Sequence, residues 1–340
     1  MKRSSSVAVL AAVVALALVG AHLPLPGWAP PARAEESVRL GYLSVISFAP
    51  VYLAEDQGFL KEQGLKVEYE RFVSGSKMVA PLATDRLNIS AGSISAGFFN
   101  SLAQGSDFVV VADKGQFRLG YGFNHIVVRK DLVDSGRVKS LKDLKGMKVA
   151  PNAPMNILTY FLGNGLEEAG MTLNDVEIVF VDFPKMPAAL QNKAVAAVVS
   201  GEPWGARIQK LGFGVRLLST EDVKATREAQ GAVIMYSGKF ARERRGTAQK
   251  YMNAYLKAVR FYNEHGMKAP QVLDVLEKWT KVPRDIIEAS IPFYLDKDAM
   301  PHTKSLMEMQ AWFHAKGAVK TMVPLERIVD LSFVKAAAAK

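Results

Sequence analysis

Residues 64–91, GLKVEYERFVSGSKMVAPLATDRLNISA, and residues 170–199, GMTLNDVEIVFVDFPKMPAALQNKAVAAVV, decide the fold. Each stretch opens on glycine and an apolar residue, continues as an alternating strand and a short helix that ends on leucine, and closes with a continuously apolar strand. Equivalent positions lie 106 to 108 residues apart, which is too long a period for a solenoid repeat. The two stretches therefore predict two similar lobes.

The sequence around these stretches alternates short apolar runs with helical patterns, as α/β folds with mostly parallel strands do. Residues 38–43 are predicted as the first strand and residues 51–63 as a helix that stops at Gly64. Residues 232–236 are expected to carry the chain out of the second lobe, and the sequence beyond about 248 is largely helical. We predict two βα lobes joined by crossover strands, with the C-terminal helices packed on the first lobe. The predicted boundaries are 35–128 plus 240–340 for lobe I and 129–239 for lobe II.

The N-terminus has the pattern of a secretory signal peptide. Lys2 and Arg3 precede an apolar run from residue 7 to 20, and Ala32-Arg33-Ala34 ends the Pro/Gly-rich stretch that follows. The apolar run is shorter than the roughly 18 to 20 residues that span a bilayer. We predict that residues 1–34 are a signal peptide cleaved after Ala34, and that the mature protein is secreted.

The composition removes several classes of function. The chain has no cysteine, which excludes disulfides, thiol catalysis and a lipid anchor on an N-terminal cysteine. Three basic residues and no acidic one leave with the signal peptide, so the net charge falls from +10 to +7. The remaining basic residues are interleaved with acidic ones and form no arginine-rich arm, which argues against a nucleic-acid partner.

No enzyme motif is complete in this sequence. Residues 74–77, SGSK, match the S-x-x-K signature of penicillin-binding enzymes, but the S-D-N and K-T-G partners that this chemistry needs are missing. The simpler interpretation is a polar loop whose serine caps the helix that begins near Lys77. The sequence has no nucleotide-binding glycine loop, and none of its histidines has a second ligand at metal spacing. We therefore predict no catalytic residue, no metal and no cofactor.

The loops that follow the predicted strands carry polar and aromatic side chains. In open α/β sheets, ligands bind outside the carboxyl ends of the strands, and hydroxyls, amides and aromatic rings there can bind a small molecule. For the serines the alternative is helix capping, for the aromatic residues it is core packing, and Glu202 could pair with an amine or simply start a helix. Arg118 is the candidate clamp for a carboxylate or sulfonate. The candidate ligand-binding residues are Ser44, Ser47, Phe48, Ser74, Ser93, Ser95, Arg118, Asn152, Asn156, Phe183, Glu202 and Trp204.

Several segments together resemble one family. Residues 54–60 with 64–67, residues 141–149, residues 166–171 and residues 201–204 (GEPW) resemble the substrate-binding proteins of ABC importers for nitrate, sulfonates, taurine and thiamine-pyrimidine precursors. The sequence departs from the family's usual L-x-x-G-x-(I/V)-D pattern at the third strand of each lobe. The residues that stand there are Leu82, Asp85, Leu87 and Asn88 in the first lobe and Leu190, Lys193, Val195 and Ala196 in the second.

The resemblance implies a type II periplasmic-binding fold whose lobes close around a small molecule. It further implies delivery to an ABC-importer permease in the inner membrane by a protein that we expect to be monomeric. Two alternatives stay open at this point: a sensory binding protein of the same fold, and a small-molecule lyase on this fold. Two ligand classes also stay open, namely a sulfonate-, carboxylate- or nitrate-like anion, favoured by the net charge, and a planar heterocycle, favoured by the aromatic residues.

Overall fold

The computed structural model describes residues 35–340, and the predicted signal peptide lies outside the described residues. The described chain forms ten strands in two sheets. The strands are β1 (Glu36–Tyr42), β2 (Leu65–Arg71), β3 (Ile89–Gly92), β4 (Phe108–Phe117), β5 (Asn124–Arg129), β6 (Lys148–Ala150), β7 (Glu177–Ile178), β8 (Ala197–Gly201), β9 (Gly214–Ser219) and β10 (Ala229–Ser237).

The helices cover both sheets and form most of the C-terminal third. They are α1 (Ala49–Asp56), α2 (Phe59–Glu62), α3 (Val79–Ala83), α4 (Ala96–Ala103), α5 (Lys130–Asp134), α6 (Ile157–Glu168), α7 (Met186–Gln191), α8 (Trp204–Lys210), α9 (Gly238–Glu243), α10 (Arg245–His265), α11 (Pro270–Thr280), α12 (Arg284–Glu288), α13 (Thr303–Ala315), α14 (Leu325–Ile328) and α15 (Ser332–Ala338). Short 3₁₀ turns lie in several of the loops between them.

The two sheets have the same topology. The first has the order β2-β1-β3-β10-β4 and the second the order β7-β6-β8-β5-β9. In each sheet three parallel strands are followed by two strands that pair antiparallel. The predicted α/β fold with two similar lobes is therefore confirmed, and the repeat extends to the antiparallel strands.

The chain crosses between the sheets earlier than the sequence analysis placed it. Strand β5, assigned to lobe I, pairs in the second sheet, and β10, assigned to lobe II, pairs in the first. Because an apolar run predicts a buried strand but not the sheet it joins, the boundaries at 128/129 and 239/240 were misplaced. We propose that the lobe boundaries lie in the two links, 118–123 and 220–228.

The predicted helix over residues 51–63 is two helices. Gly58 lies between α1 and α2 with a φ of +76°, a left-handed conformation that interrupts the helix and that glycine adopts without steric cost. The apolar positions on the two sides of Gly58 stay in helical register, so the hydrophobic periodicity of the sequence shows no break there.

The C-terminal helices contact both lobes. Helix α10 packs on α1 and α2 of the first lobe, as predicted. Helix α13 also reaches α6 of the second lobe, where the ring of Trp312 lies 2.4 Å from the position that a Cβ on Gly163 would take. Lys316 forms an ion pair of 2.6 Å with Glu167 beside this contact. The C-terminal region therefore touches the second lobe as well as covering the first.

Candidate functional site

A cavity lies between the two sheets at the carboxyl ends of their parallel strands. The first lobe contributes the loop after β1, the start of the loop after β3 and the second half of β4. The second lobe contributes the start of β5, the end of β8 and the loops that follow β6 and β7. One cavity is therefore shared by both lobes, at the edge where the strand order predicts a binding site.

Most of the cavity wall is apolar and aromatic. Leu43, Val45, Phe48, Phe117, Phe123, Ile157, Leu158, Phe183 and Phe293 supply this wall. The amide of Asn124 and the hydroxyl of Ser93 also line the cavity, and neither makes a hydrogen bond to another described side chain or backbone group. A few polar groups in an apolar cavity are what the capture of a small organic molecule requires.

Six of the twelve sequence-predicted residues line this cavity. They are Ser47, Phe48, Ser93, Asn152, Asn156 and Phe183. The two asparagines are hydrogen-bonded to each other, with Nδ2 of Asn156 donating to Oδ1 of Asn152 at 2.8 Å. Oδ1 of Asn156 also accepts from the backbone N–H groups of Leu158 and Thr159, so it caps α6 while its side chain lines the cavity.

Three predicted serines lie outside the cavity wall. Ser95 caps α4, since its Oγ accepts from the backbone N–H of Phe98 at 3.2 Å. Ser74 is buried at the N-cap position of a 3₁₀ turn but makes no capping hydrogen bond with its side chain. Ser44 lines a second cavity, which adjoins the first and shares Phe183 with it.

Arg118 does not reach the cavity. Its guanidinium donates to Oε1 of Gln116 at 2.6 Å and lies over the ring of Tyr294, 5.4 Å from the ring centroid. The sequence suggested Arg118 as an anion clamp, but its guanidinium does not lie on the cavity wall.

Glu202 is fully buried in the second lobe and is not a cavity residue. Its Oε1 contacts Nε2 of His125 at 3.1 Å, accepts from the backbone N–H of Ile291 at 3.2 Å and pairs with Arg216; its Oε2 accepts from the N–H of Ala206 at 2.9 Å. Burial alone would raise the pKa of Glu202, but the hydrogen bond and charge of His125, followed by the charge of Arg216, outweigh it and lower the pKa. The carboxylate is satisfied within the protein, which contradicts the hypothesis of an amine-binding acid.

Trp204 packs beside the second cavity, 5% exposed, and is likewise absent from the wall of the main one. Its ring contacts the guanidinium of Arg207 at 5.4 Å from the ring centroid. For this aromatic residue the core-packing alternative is the one that the structure supports.

The sequence analysis missed Lys114, the only ionisable side chain on the main cavity wall in residues 35–340. It is 1% exposed, its Nζ lies 3.7 Å from the ring centroid of Phe48, and it donates to the backbone oxygen and the Oγ of Ser47 at 3.2 and 3.0 Å. Burial lowers its pKa to about 7 against the opposing charge of Asp113. Two charged residues inside the apolar strand β4 were the signal that could have revealed it.

The two lobes touch at the cavity rim. The N–H of Ala96 donates to the oxygen of Met155 at 2.9 Å, within a bridge between Ser95 and Asn156. Nδ2 of Asn152 approaches the backbone oxygen of Val73 in the first lobe at 3.4 Å. The structure therefore represents an arrangement in which the lobes meet around the cavity.

Two other kinds of site have no counterpart within residues 35–340. No cluster of three or more histidine, aspartate or glutamate side chains there could hold a metal ion. None of the helices in this part of the chain is both long and apolar enough to cross a bilayer.

Two lobes of repeated topology with a shared cavity define a periplasmic-binding fold, the architecture of solute-binding proteins. Residues 32–273 match the model of the NMT1-like family. The chain belongs to this family.

Individual relatives are distant in sequence but cover nearly the whole chain. A Bacillus subtilis (strain 168) protein, provisionally named as an aliphatic sulfonates-binding protein, is 24% identical over 309 residues, which cover 89% of this chain and 88% of that protein. The nitrate-binding protein NrtA of Synechocystis PCC 6803 superposes with a TM-score of 0.72 at 16% identity, covering 90% of each chain.

Related structures include both binding proteins and an enzyme. The sulfonate-binding protein SsuA of Escherichia coli superposes with a TM-score of 0.68 at 18% identity, over 90% of this chain and 99% of that chain. The desulfurization enzyme DSZB superposes with a TM-score of 0.65 at 14% identity, over 89% and 99% of the two chains. At these identities the superpositions establish the fold alone.

Proposed function

We propose that this protein is a periplasmic solute-binding protein that captures a small organic molecule between its lobes for delivery to an ABC importer in the inner membrane. The observation that carries this proposal is the shared cavity, whose wall is built from the strand ends of both sheets. A ligand that contacts both lobes stabilises the closed arrangement by the contacts it makes only there. The closed surface is then what the permease recognises.

The cavity wall supports binding without chemistry. Lys114 is the only ionisable side chain on this wall among the described residues, so no carboxylate or imidazole stands there as a general acid or base. A chain without cysteine also has no thiol nucleophile. We propose a non-enzymatic role for this chain although an enzyme shares its fold.

The periplasmic location rests on two supports. The first is the signal-peptide pattern of residues 1–34. The second is that relatives such as SsuA of Escherichia coli are named as periplasmic proteins. We propose that the mature chain acts there as a monomer and without a lipid anchor.

A thermal-shift screen of the purified mature protein tests solute capture. Hexane-1-sulfonate, benzoate, nitrate and 4-amino-2-methylpyrimidine represent the ligand classes, and a ligand that binds only the native state raises the melting temperature. We expect at least one of them to do so. If none shifts the melting temperature at millimolar concentration, the proposed function is wrong; if a bound compound is turned over, the non-enzymatic role is wrong.

A further inference from the structure

The cavity wall carries the buried amine of Lys114. This amine has two hydrogen-bond acceptors among residues 35–340. Nζ of Lys114 donates to the backbone oxygen of Ser47 at 3.2 Å and to Oγ of Ser47 at 3.0 Å. A neutral lysine amine has two N–H groups and an ammonium has three. The acceptors supplied by the described residues therefore match the neutral form, and an added proton needs an acceptor from inside the cavity.

In the described part of the chain, the carboxylate of Asp113 acts on the charge of Lys114 without forming an ion pair with it. Within residues 35–340, no acidic side chain lies within ion-pair distance of its Nζ. Asp113 precedes it on β4, at an irregularity in the register where Lys114 has no residue opposite it on β10. The carboxylate of Asp113 instead accepts from Nε2 of Gln230 at 2.6 Å and from the backbone N–H groups of Gly115 and Asp296 at 2.8 and 3.0 Å.

Burial and the charge of Asp113 act in opposite directions on the pKa of Lys114. Burial lowers the pKa of its amine to about 7, and Asp113 is the charged group that opposes this shift. The face of the Phe48 ring, 3.7 Å away, also favours the protonated form, but a ring contact is weaker than an ionic hydrogen bond. The empty cavity therefore leaves the amine largely neutral above neutral pH.

We infer that Lys114 makes this cavity selective for organic monoanions with an apolar body, and that capture of such an anion takes one proton from solvent onto the Lys114 amine. The reaction is anion plus neutral amine plus one proton giving an ammonium–anion pair. The bond formed is the third N–H bond of the ammonium, and the proton comes from solvent or buffer. The inference rests on the proposed function, because it assigns the ligand class and the binding mechanism of the same cavity.

The wall explains each part of this selectivity. The five phenylalanines on it can enclose an apolar chain or ring, and the free groups of Ser93 and Asn124 can donate to the anion's other oxygens. A dianion would bring a second charge that no lysine or arginine on the described wall balances. A neutral heterocycle would gain nothing from the proton.

Proton uptake makes the affinity depend on pH in a defined direction. Since the anion pairs with the ammonium, its affinity is greatest below the pKa of the empty site, near 7. Above that value each pH unit should weaken binding about tenfold, until the pKa of the liganded site is reached.

Calorimetric titration with hexane-1-sulfonate measures this directly, because the sulfonate stays ionised throughout and cannot itself supply the pH dependence. The titrations use phosphate and Tris, which have different heats of ionisation and lack the sulfonate group of common zwitterionic buffers. We expect uptake of about one proton at pH 8, little uptake at pH 6, and a dissociation constant about tenfold larger at pH 8.5 than at pH 7.5.

Variants separate the role of the amine from that of the fold. Lys114→Met keeps the aliphatic stem, and it should weaken hexane-1-sulfonate binding at pH 6 by about 10- to 100-fold and abolish proton uptake. Lys304→Met removes a lysine whose side chain is 82% exposed and should change neither quantity. A ¹³C titration of the lysine ε-carbons, assigned with the Lys114→Met variant, should show one amine in the empty protein that titrates near pH 7.

The outcomes distinguish this inference from the proposed function. Binding of hexane-1-sulfonate with no proton uptake, equal binding by Lys114→Met, or binding of 4-amino-2-methylpyrimidine but of no anion would overturn the role of Lys114 and leave solute capture standing. Failure of every probe to bind at pH 6 would overturn both.

Discussion

Replacing Glu202 tests whether this residue stabilises the fold or binds the ligand. The carboxylate is 0% exposed and has four partners: the imidazole of His125, the guanidinium of Arg216 and the backbone N–H groups of Ala206 and Ile291. Glu202→Ala removes all four acceptor contacts at once. Since Ile291 belongs to the C-terminal region, the variant also breaks a contact between the second lobe and that region.

The expected loss of stability follows from these contacts. Removing one side of a buried ion pair costs about 3–5 kcal/mol, because the remaining charge is left without its partner. The side chain of Arg216 is 22% exposed and can turn toward solvent, so we place Glu202→Ala near the lower end, at about 3 kcal/mol. Glu202→Gln keeps an oxygen for the three partners of Oε1 and should cost less, about 1–3 kcal/mol, mainly through its NH₂ facing the N–H of Ala206.

Urea unfolding followed by circular dichroism measures these free energies. Glu177→Ala is the matched control, because this carboxylate in the same lobe is 56% exposed and pairs only with Lys148 at 3.6 Å, so its loss should cost under about 1 kcal/mol. The folded Glu202→Gln protein should bind hexane-1-sulfonate as the wild type does. A Glu202→Gln variant with unchanged stability and abolished binding would refute the structural role and restore the ligand-binding hypothesis.

Four further substitutions give contrasting results. Phe183→Ala should weaken binding of hexane-1-sulfonate about tenfold, by loss of apolar contact, whereas Phe180→Ala, at a 52% exposed ring three residues away, should leave the calorimetric affinity unchanged. Trp204→Ala should lower the free energy of unfolding in urea by about 3–5 kcal/mol while the folded fraction keeps its affinity; a binding loss without destabilisation would contradict this. Lys193→Gly should raise the melting temperature slightly, since Lys193 has a φ of +58° and relief of about 1–2 kcal/mol of strain exceeds glycine's entropic cost of about 0.5–1 kcal/mol; a fall in melting temperature would contradict it.

Most of the fold could be predicted from the repeated sequence pattern. Alternation and buried runs in residues 64–91 and 170–199 identified two of the three parallel strands in each sheet, because these strands face a core and their side chains follow the period of the sheet. The pairing of β5 and β10 was not predictable in the same way. Which sheet a buried strand joins depends on the path of the whole chain.

The departures from the family pattern also acquire a physical meaning. Asp85 and Lys193 stand where the usual pattern has glycine, and both adopt left-handed backbone, with φ values of +55° and +58°. The duplicated turn therefore kept its conformation in both lobes although the residue best suited to it was replaced.

The location of the candidate site could be predicted from the sequence, but the side chains that form it could not. The loops after the strands were correctly expected to face one cavity, which is a property of the topology. Whether a particular side chain faces the cavity depends on local partners that spacing does not reveal. Glu202 is held by His125 and Arg216, which are 77 and 14 residues away, and Lys114 was overlooked because it lies inside strand β4 and not in a loop after a strand.

The position of β10 has a consequence for the order in which the molecule assembles. The second sheet is built entirely from residues 124–219, so all of its pairings close within one continuous segment. The first sheet needs residues 229–237 between β3 and β4, which must stay apart until the whole intervening lobe has been made. Because closing a longer loop costs more entropy and slows folding, the lobe encoded in the middle of the chain should form first and the lobe that begins the mature chain last.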